Sequence, residues 1–327
     1  VRDALRWSNY IDESIRLFGE AEVYLASHHW PIWGNQRIID FLEVQRDTYK
    51  YLHDQTVRLF NQGLTPGEIA EQLELPASLQ TAFHNRGYYG TTRHNARAVY
   101  QGYLGWYDGN PANLNPHPPV EAAGRYVALA GGSEAMLQQA QAAFDAADYR
   151  WAAELLNHLV FAEPGNTGAK SLLAASYDQL GYQAESGPWR DVYLSAAYEL
   201  RHGSPEEGLN VAAMEDVLRQ TPVRRFFDSR AARLNGPDAE GVELRVNYVF
   251  TDLGESYLLD ISNAVLHHWP SGPETEADAT LNLTHGMFIR MLIGEAGVTD
   301  LLLSDELELE GSKLDLVKFF SLFDQPE

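Results

Sequence analysis

From Val1 to Phe18 the apolar residues Leu5, Ile11, Ile15, Leu17 and Phe18 recur at helical spacing. The short apolar run Val23-Tyr24-Leu25-Ala26 reads as a buried strand ending in Ser27-His28-His29-Trp30-Pro31, and Pro31 and Gly34 break the chain into a loop. Helical periodicity returns from Ile38 to Asn61, with Ile39, Leu42, Tyr49, Leu52, Val57 and Phe60 as its apolar positions. Gly63 stands where a C-cap is expected. Thr65-Pro66-Gly67-Glu68 then opens another helix with Thr at N-cap, Pro at N1 and Glu at N3, a capping box.

Between Gly87 and Pro119 the pattern dissolves into GYYGTTRHNARAVYQGYLGWYDGNPANLNPHPP, with one helical piece from about Asn95 to Leu104. Long loops of this kind usually carry function. Ser133 to Arg201 is helical and alanine-rich. Ala140 and Ala174 recur 34 residues apart, as do Leu137 and Ser171, and Pro164-Gly165-Asn166 supplies a turn. The spacing fits a tetratricopeptide-like helix pair or an ordinary alanine-packed bundle. Two copies are too few to stand alone, so this segment packs on a neighbour or a second copy of itself. After His202-Gly203-Ser204-Pro205 the period changes to two: Val242, Leu244, Val246, Tyr248 and Phe250 alternate with Glu243, Arg245 and Asn247. Tyr257–Ile261, Thr280–Thr284 and Leu307–Glu310 read as further strands, Met287–Ile293 as an apolar helix and Leu314–Phe323 as an amphipathic one. This last region is a separate α+β domain whose sheet is covered on one face by those helices.

Composition narrows the partners. The 327 residues hold 24 Lys plus Arg against 46 Asp plus Glu, a net charge of −22. Such a balance argues against nucleic acid or an anionic membrane surface as the main partner, so an anionic substrate needs a local cationic site. With no cysteine, disulfides, thiol catalysis and Cys-ligated zinc are excluded. No signal peptide and no apolar run of membrane-spanning length is visible. A chain opening on Val1 in mid-helix reads as cut from something longer.

Two places carry candidate chemistry. A histidine at a strand end, such as His28, is well placed to bind a metal, yet His-His pairs more often pack structurally, and the tetrapeptide recurs as His267-His268-Trp269-Pro270. The patterns HxHxD and HExxH are absent. His94, Arg97 and Tyr103 stand at i, i+3 and i+9, so His94 and Arg97 share a helix face. An Arg fork and a phenol suit a sulfate, phosphate or carboxylate; a salt bridge to one of many carboxylates fits the same spacing. Trp106-Tyr107-Asp108-Gly109-Asn110-Pro111 reads as a structural turn, and the glycosylation-like Asn282-Leu283-Thr284 as chance on a strand. No phosphate-cradling Gly loop, GxSxG elbow or dinucleotide fingerprint is present.

In order along the chain, ASHHWPIWGNQRI, QRDTYKYLHDQT, GLTPGEIAEQLELP, HNRGYYGTTRHNARAVYQGYLGWYDGNPANL and AELLNHLVFAEPGNTGAKSLLAASYDQLGYQAES resemble the alkylsulfatases of the metallo-β-lactamase superfamily, the SDS-hydrolase-like (type III) enzymes. The likeness covers essentially the whole chain, and GYYG-x3-HN-x-[RK]-AVYQ-x-YLGWYDGNP is its most specific part. It implies a mixed architecture: the end of a metallo-β-lactamase αβ/βα domain over residues 1–60, an all-α tetratricopeptide-like dimerisation domain over 61–203, and an α+β sterol-carrier-protein-like domain over 204–327. It implies two zinc ions, with His28 as the final ligand. By the same resemblance Arg97 and Tyr103 line the sulfate pocket, with Asn95 beside the substrate and His94 as the catalytic histidine.

The family's HxHxDH signature and two carboxylate ligands have no counterpart in this sequence. The resemblance therefore implies the C-terminal portion of a homodimeric, zinc-dependent alkylsulfatase that turns alkyl sulfates into alcohol and sulfate, completed by a fragment or chain bearing HxHxDH. It also implies a periplasmic or secreted setting. Two rival readings stand beside it: a non-catalytic dimer that binds apolar ligands such as lipids, and a hydrolase of another ester on the same scaffold.

Overall fold

The computed structural model describes residues 3–205, 211–295 and 307–324, so the helix expected from Val1 is seen from Ala4 onward. The chain forms two compact units, residues 1–204 and 205–327.

In the first unit, helix α1 (Ala4–Leu17) is capped by Asp3, whose carboxylate accepts the Arg6 amide at 3.0 Å. Strands β1 (Val23–Ala26) and β2 (His29–Trp33) form an antiparallel hairpin with Tyr24 opposite Ile32 and Ala26 opposite His29. The expectation of a buried strand followed by a loop fails here. Leu25 is 71% and Trp30 85% exposed, and Pro31 lies inside β2. A two-stranded ribbon leaves each strand one free edge, which is where a residue without an N–H is tolerated. Helix α2 (Asn35–Phe60) packs along α1, with Trp7 stacked on Tyr49 at 5.7 Å between ring centres. The predicted capping box opens α3 (Pro66–Gln72): Glu68 Oε2 accepts the Thr65 amide at 2.8 Å while Thr65 Oγ1 accepts the Glu68 amide.

After the short α4 (Ala77–Gln80), Thr91 caps α5 (Thr92–Leu104), three residues earlier than the pattern suggested. Helices α6 (Pro119–Leu129), α7 (Ser133–Asp145), α8 (Tyr149–Ala162), α9 (Thr167–Gln183) and α10 (Gly187–His202) follow. Their core is built from small residues between leucines: Ala140, Ala152, Leu156, Leu159, Ala169 and Leu173 are all buried. Ala140 and its 34-residue counterpart Ala174 are both fully buried.

The second unit holds helices α11 (Glu215–Arg219) and α12 (Val223–Ala231) and a five-stranded sheet. Its strands are β3 (Leu244–Phe250), β4 (Glu255–Ser262), β5 (Val265–Pro270), β6 (Ala279–Leu283) and β7 (Leu307–Gly311), in the order β5-β4-β3-β6-β7. Only β3 and β6 run parallel. The alternating apolar set of β3 is buried as expected, under α12, α13 (His285–Leu292) and α14 (Lys313–Ser321). Asn247, expected on the polar face, is fully buried. Its amide donates to the Gly272 carbonyl at 3.1 Å and its Oδ1 accepts the Ser271 hydroxyl at 2.7 Å, which satisfies it without water. Asn282 stands mid-sheet on β6, donating to Glu310 at 2.9 Å.

Candidate functional site

Helix α5 carries two faces. Ala96, Val99 and Tyr100 are buried on α2 and α3, and Tyr103 continues that stripe by three residues. His94 and Arg97 lie on the outward face and are exposed. At about 100° per residue, Tyr103 is turned roughly 120° from Arg97 and 180° from His94. The structure thus brings His94 and Arg97 together and sets Tyr103 apart, against α2.

There Tyr103 meets a residue that the sequence did not single out. Its hydroxyl is 2.7 Å from Nε2 of His53, which is 8% exposed, and Nδ1 of that ring donates to Asp54 Oδ1 at 2.8 Å. Nδ1 is the donor to the carboxylate, and Nε2 is the ring atom that pairs with the phenol. Lys50 closes the chain by donating to the other Asp54 oxygen. Burial pushes the Asp54 carboxyl up, but the hydrogen bonds and charges of Lys50 and His53 outweigh it and hold the pKa below the usual value. His53 falls on the apolar stripe of α2 beside Leu52. In a sequence that position is indistinguishable from a core histidine, so spacing gave no signal.

Arg97 makes no hydrogen bond or ion pair with any described residue. The nearby Glu71 is taken by Arg150 at 3.2 Å and Arg93 at 3.0 Å, and its carboxyl is lowered by Arg150 first, then by Arg93 and Arg97. The guanidinium is therefore free to receive an anion from outside. Asn95 packs under Gly90, where a Cβ would stand 3.1 Å from Asn95 Oδ1, a close approach that glycine eases. That loop is tied to the bundle: the Gly187 amide donates to Tyr88 O at 2.9 Å, the Ser186 hydroxyl to Tyr89 O at 2.5 Å, and Arg86 Nε to Glu185 at 2.7 Å.

His28 occupies the exposed turn of the β1–β2 hairpin. Its neighbour His29 donates Nδ1–H to the Trp30 carbonyl at 2.8 Å and lies against Phe41, which also meets His84. His84 Nε2 is buried with no partner, and burial, followed by the charge of His29, lowers its pKa. Among the described residues no three His, Asp or Glu side chains converge on a metal position. Zinc thus does not fit the described residues alone, since a stable site needs three or four convergent ligands and none converge here. An apolar cleft of about 630 Å³ lies nearby, lined by Trp7, Tyr10, Phe18, Tyr24, Ile38 and Leu42 among others. No helix among the described residues is long and apolar enough to cross a membrane.

Comparison with known proteins places these features. Residues 65–203 match the family described as alkyl sulfatase dimerisation, and residues 211–327 the one described as alkyl sulfatase C-terminal. The chain is 44% identical to a linear primary-alkylsulfatase of Pseudomonas sp. over 99% of its own length and 48% of that protein's. It is likewise 44% identical to an alkyl/aryl-sulfatase of Saccharomyces cerevisiae, covering 99% of this chain and 50% of the relative. Its fold superposes on the stereoselective inverting sec-alkylsulfatase Pisa1 from Pseudomonas sp. with a TM-score of 0.93 at 41% identity, covering 100% of this chain and 52% of that one. The chain spans about half the length of the curated relatives it matches. It belongs to the alkylsulfatase family, and corresponds to the C-terminal portion of those enzymes.

Proposed function

We propose that this chain works within a zinc-dependent alkylsulfatase that hydrolyses alkyl sulfate esters, such as dodecyl sulfate, to alcohol and sulfate. The observation that carries the reading is Arg97: an exposed guanidinium in no hydrogen bond or ion pair with a described residue, in a chain of net charge −22, on the helix of the family's most specific motif. A fork of N–H donors matches a sulfate's oxygens. In this reading Arg97 and Tyr103 receive the sulfate, Asn95 holds the adjoining loop beside it, and His94, on the Arg97 face, exchanges the proton that the leaving oxygen needs. Electrostatic stabilisation of that kind does most when the donors are fixed beforehand. His53, Asp54 and Lys50 fix Tyr103.

Residues 1–60 serve, in this proposal, as the last part of a metallo-β-lactamase domain. His28 contributes one zinc ligand, and the remaining ligands, including HxHxDH, come from a portion or chain outside this one. The exposed Leu25, Trp30 and Trp33 suit a hairpin meant to be covered by further protein. Residues 61–203 act as a tetratricopeptide-like homodimerisation domain, supported by the small-residue helix packing and the buried 34-residue pair Ala140 and Ala174. Residues 204–327 act as a sterol-carrier-protein-like domain that holds the alkyl chain, supported by the aromatic core of Phe227, Tyr248, Phe250 and Phe288.

Substrate profiling of the assembled enzyme tests the reading. Dodecyl sulfate should be turned over and dodecyl phosphate not. Equal or preferential phosphate hydrolysis would move the protein to another ester class on the same scaffold. Metal analysis gives a readout apart from activity: His28→Ala should lower bound zinc, and unchanged zinc would remove His28 from the ligand set.

A further inference from the structure

Arg230 lies near the end of α12 with its guanidinium carbon 4.2 Å from the ring centre of Phe323, 4.9 Å from Phe320 and 5.4 Å from Phe319. Among the described residues no side-chain hydrogen bond or ion pair reaches it, and its Nε is buried without an acceptor. Ring faces attract a cation but accept none of its N–H bonds, so the charge is cushioned while the donors stay unused. A half-buried guanidinium whose Nε–H is sealed from water among three rings and meets no acceptor calls for an explanation.

The surroundings favour an anion. Arg233 is nearby and spends its guanidinium on a backbone carbonyl, that of Asp324, at 2.9 and 3.1 Å. Lys313 and Lys318, two of the chain's four lysines, are on α14 and make no ion pair with a described residue. Asp315 and Asp324 stand beside these four cations, which still leaves a positive local balance against a net charge of −22. The surroundings also favour an apolar chain. Along α14, Leu314 and Val317 precede Phe320 at three-residue steps, and they are 82% and 50% exposed.

We propose that Arg230 anchors the oxyanion head of a single-chain amphiphile, an alkyl sulfate or alkyl carboxylate, whose tail lies along Phe320, Val317 and Leu314. The site is separate from Arg97 and Tyr103. It rests on the reading of residues 204–327 as an apolar-ligand domain and adds a charged head to that ligand. Its role would be to concentrate anionic amphiphiles against an unfavourable overall charge.

Calorimetric titration of the chain with decyl sulfate, decanoate and decanol, each below its micelle concentration, tests this without any catalytic readout. Wild type should bind the two anions at least tenfold more tightly than decanol. With Arg97→Ala present throughout to silence the other oxyanion site, Arg230→Gln should abolish that preference and leave decanol binding unchanged, and Arg230→Lys should keep part of it. A sulfate far tighter than the carboxylate identifies the head group. Equal affinity for anion and alcohol in wild type, or an equal loss for all three ligands in Arg230→Gln, would overturn the anchor and leave Arg230 a packing residue. Should Arg230→Gln fail to fold, the Nε–H resonance of Arg230 in wild type decides: it should shift with decanoate and not with decanol, and no shift with decanoate overturns the proposal. Anion binding without any decanol binding would support the anchor and contradict the apolar-ligand reading alone.

Discussion

Tyr103 stands at the open end of a line of polar groups running through His53 and Asp54 to Lys50. If that line fixes the phenol for a sulfate, Tyr103→Phe and Arg97→Ala should each lower kcat/KM for dodecyl sulfate by about 10²-fold, the scale for one preorganised donor. His53→Gln, which touches no substrate, should act more weakly and mainly on kcat. Asp54 makes the acid side testable by thermal unfolding. Its folded pKa lies below the ordinary 3.8, so its contribution is present above that value and is lost as pH falls through the folded pKa. His84 is lowered from 6.5 by burial and by His29, so its neutral ring contributes fully above about pH 6.5 and loses that contribution as pH falls toward its folded value. Melting temperature should therefore begin to fall below about pH 6.5 and fall again below about pH 4. His84→Gln should flatten the first step and Asp54→Asn should reduce the second, which Glu71 and other lowered carboxyls share; an unchanged profile in either would remove that group from the account. At this scale the sequence singled out His28, His94, Asn95, Arg97 and Tyr103 as candidates but not His53 or His84, because a histidine inside an apolar stripe looks the same whether it supports a phenol or fills a core.

Helices whose signals lie within one turn were readable, and elements decided by distant partners were not. The Thr65–Glu68 box needs only its own four residues, and it formed as read. Thr65→Ala should cost about 1 kcal/mol of stability by denaturant unfolding. The β1–β2 hairpin was misread as a buried strand and a loop because a four-residue apolar run cannot say what covers it. Asn247 was placed on the polar face by alternation, yet the carbonyl of Gly272 and the hydroxyl of Ser271, some 25 residues away, draw it inside. Gly311 is another long-range constraint: its φ is +87° and a Cβ would lie 2.5 Å from the Asp278 carbonyl. Gly311→Ala should therefore destabilise the sheet by about 2 kcal/mol or more, through backbone strain and overpacking together. A stability within about 0.5 kcal/mol of wild type would contradict that reading of the β6–β7 edge.

For the whole molecule, the mixed helical and sheet architecture and the alkylsulfatase membership were legible from motif order, since long uninterrupted matches need no knowledge of packing. The metal site could not be assembled in the same way, because among the described residues no three His, Asp or Glu side chains converge. A homodimer formed through residues 61–203 should appear as twice the chain mass in light scattering; a monomer at micromolar concentration would contradict the dimerisation proposal. The central claim is that this chain supplies the sulfate-receiving side of an alkylsulfatase. Sulfate release from dodecyl sulfate by the assembled enzyme, compared between wild type and the Arg97→Ala, Tyr103→Phe double variant, tests it most directly. The account predicts a loss of about 10³-fold or more with zinc content and fold unchanged. Sulfate release at the wild-type rate would contradict it.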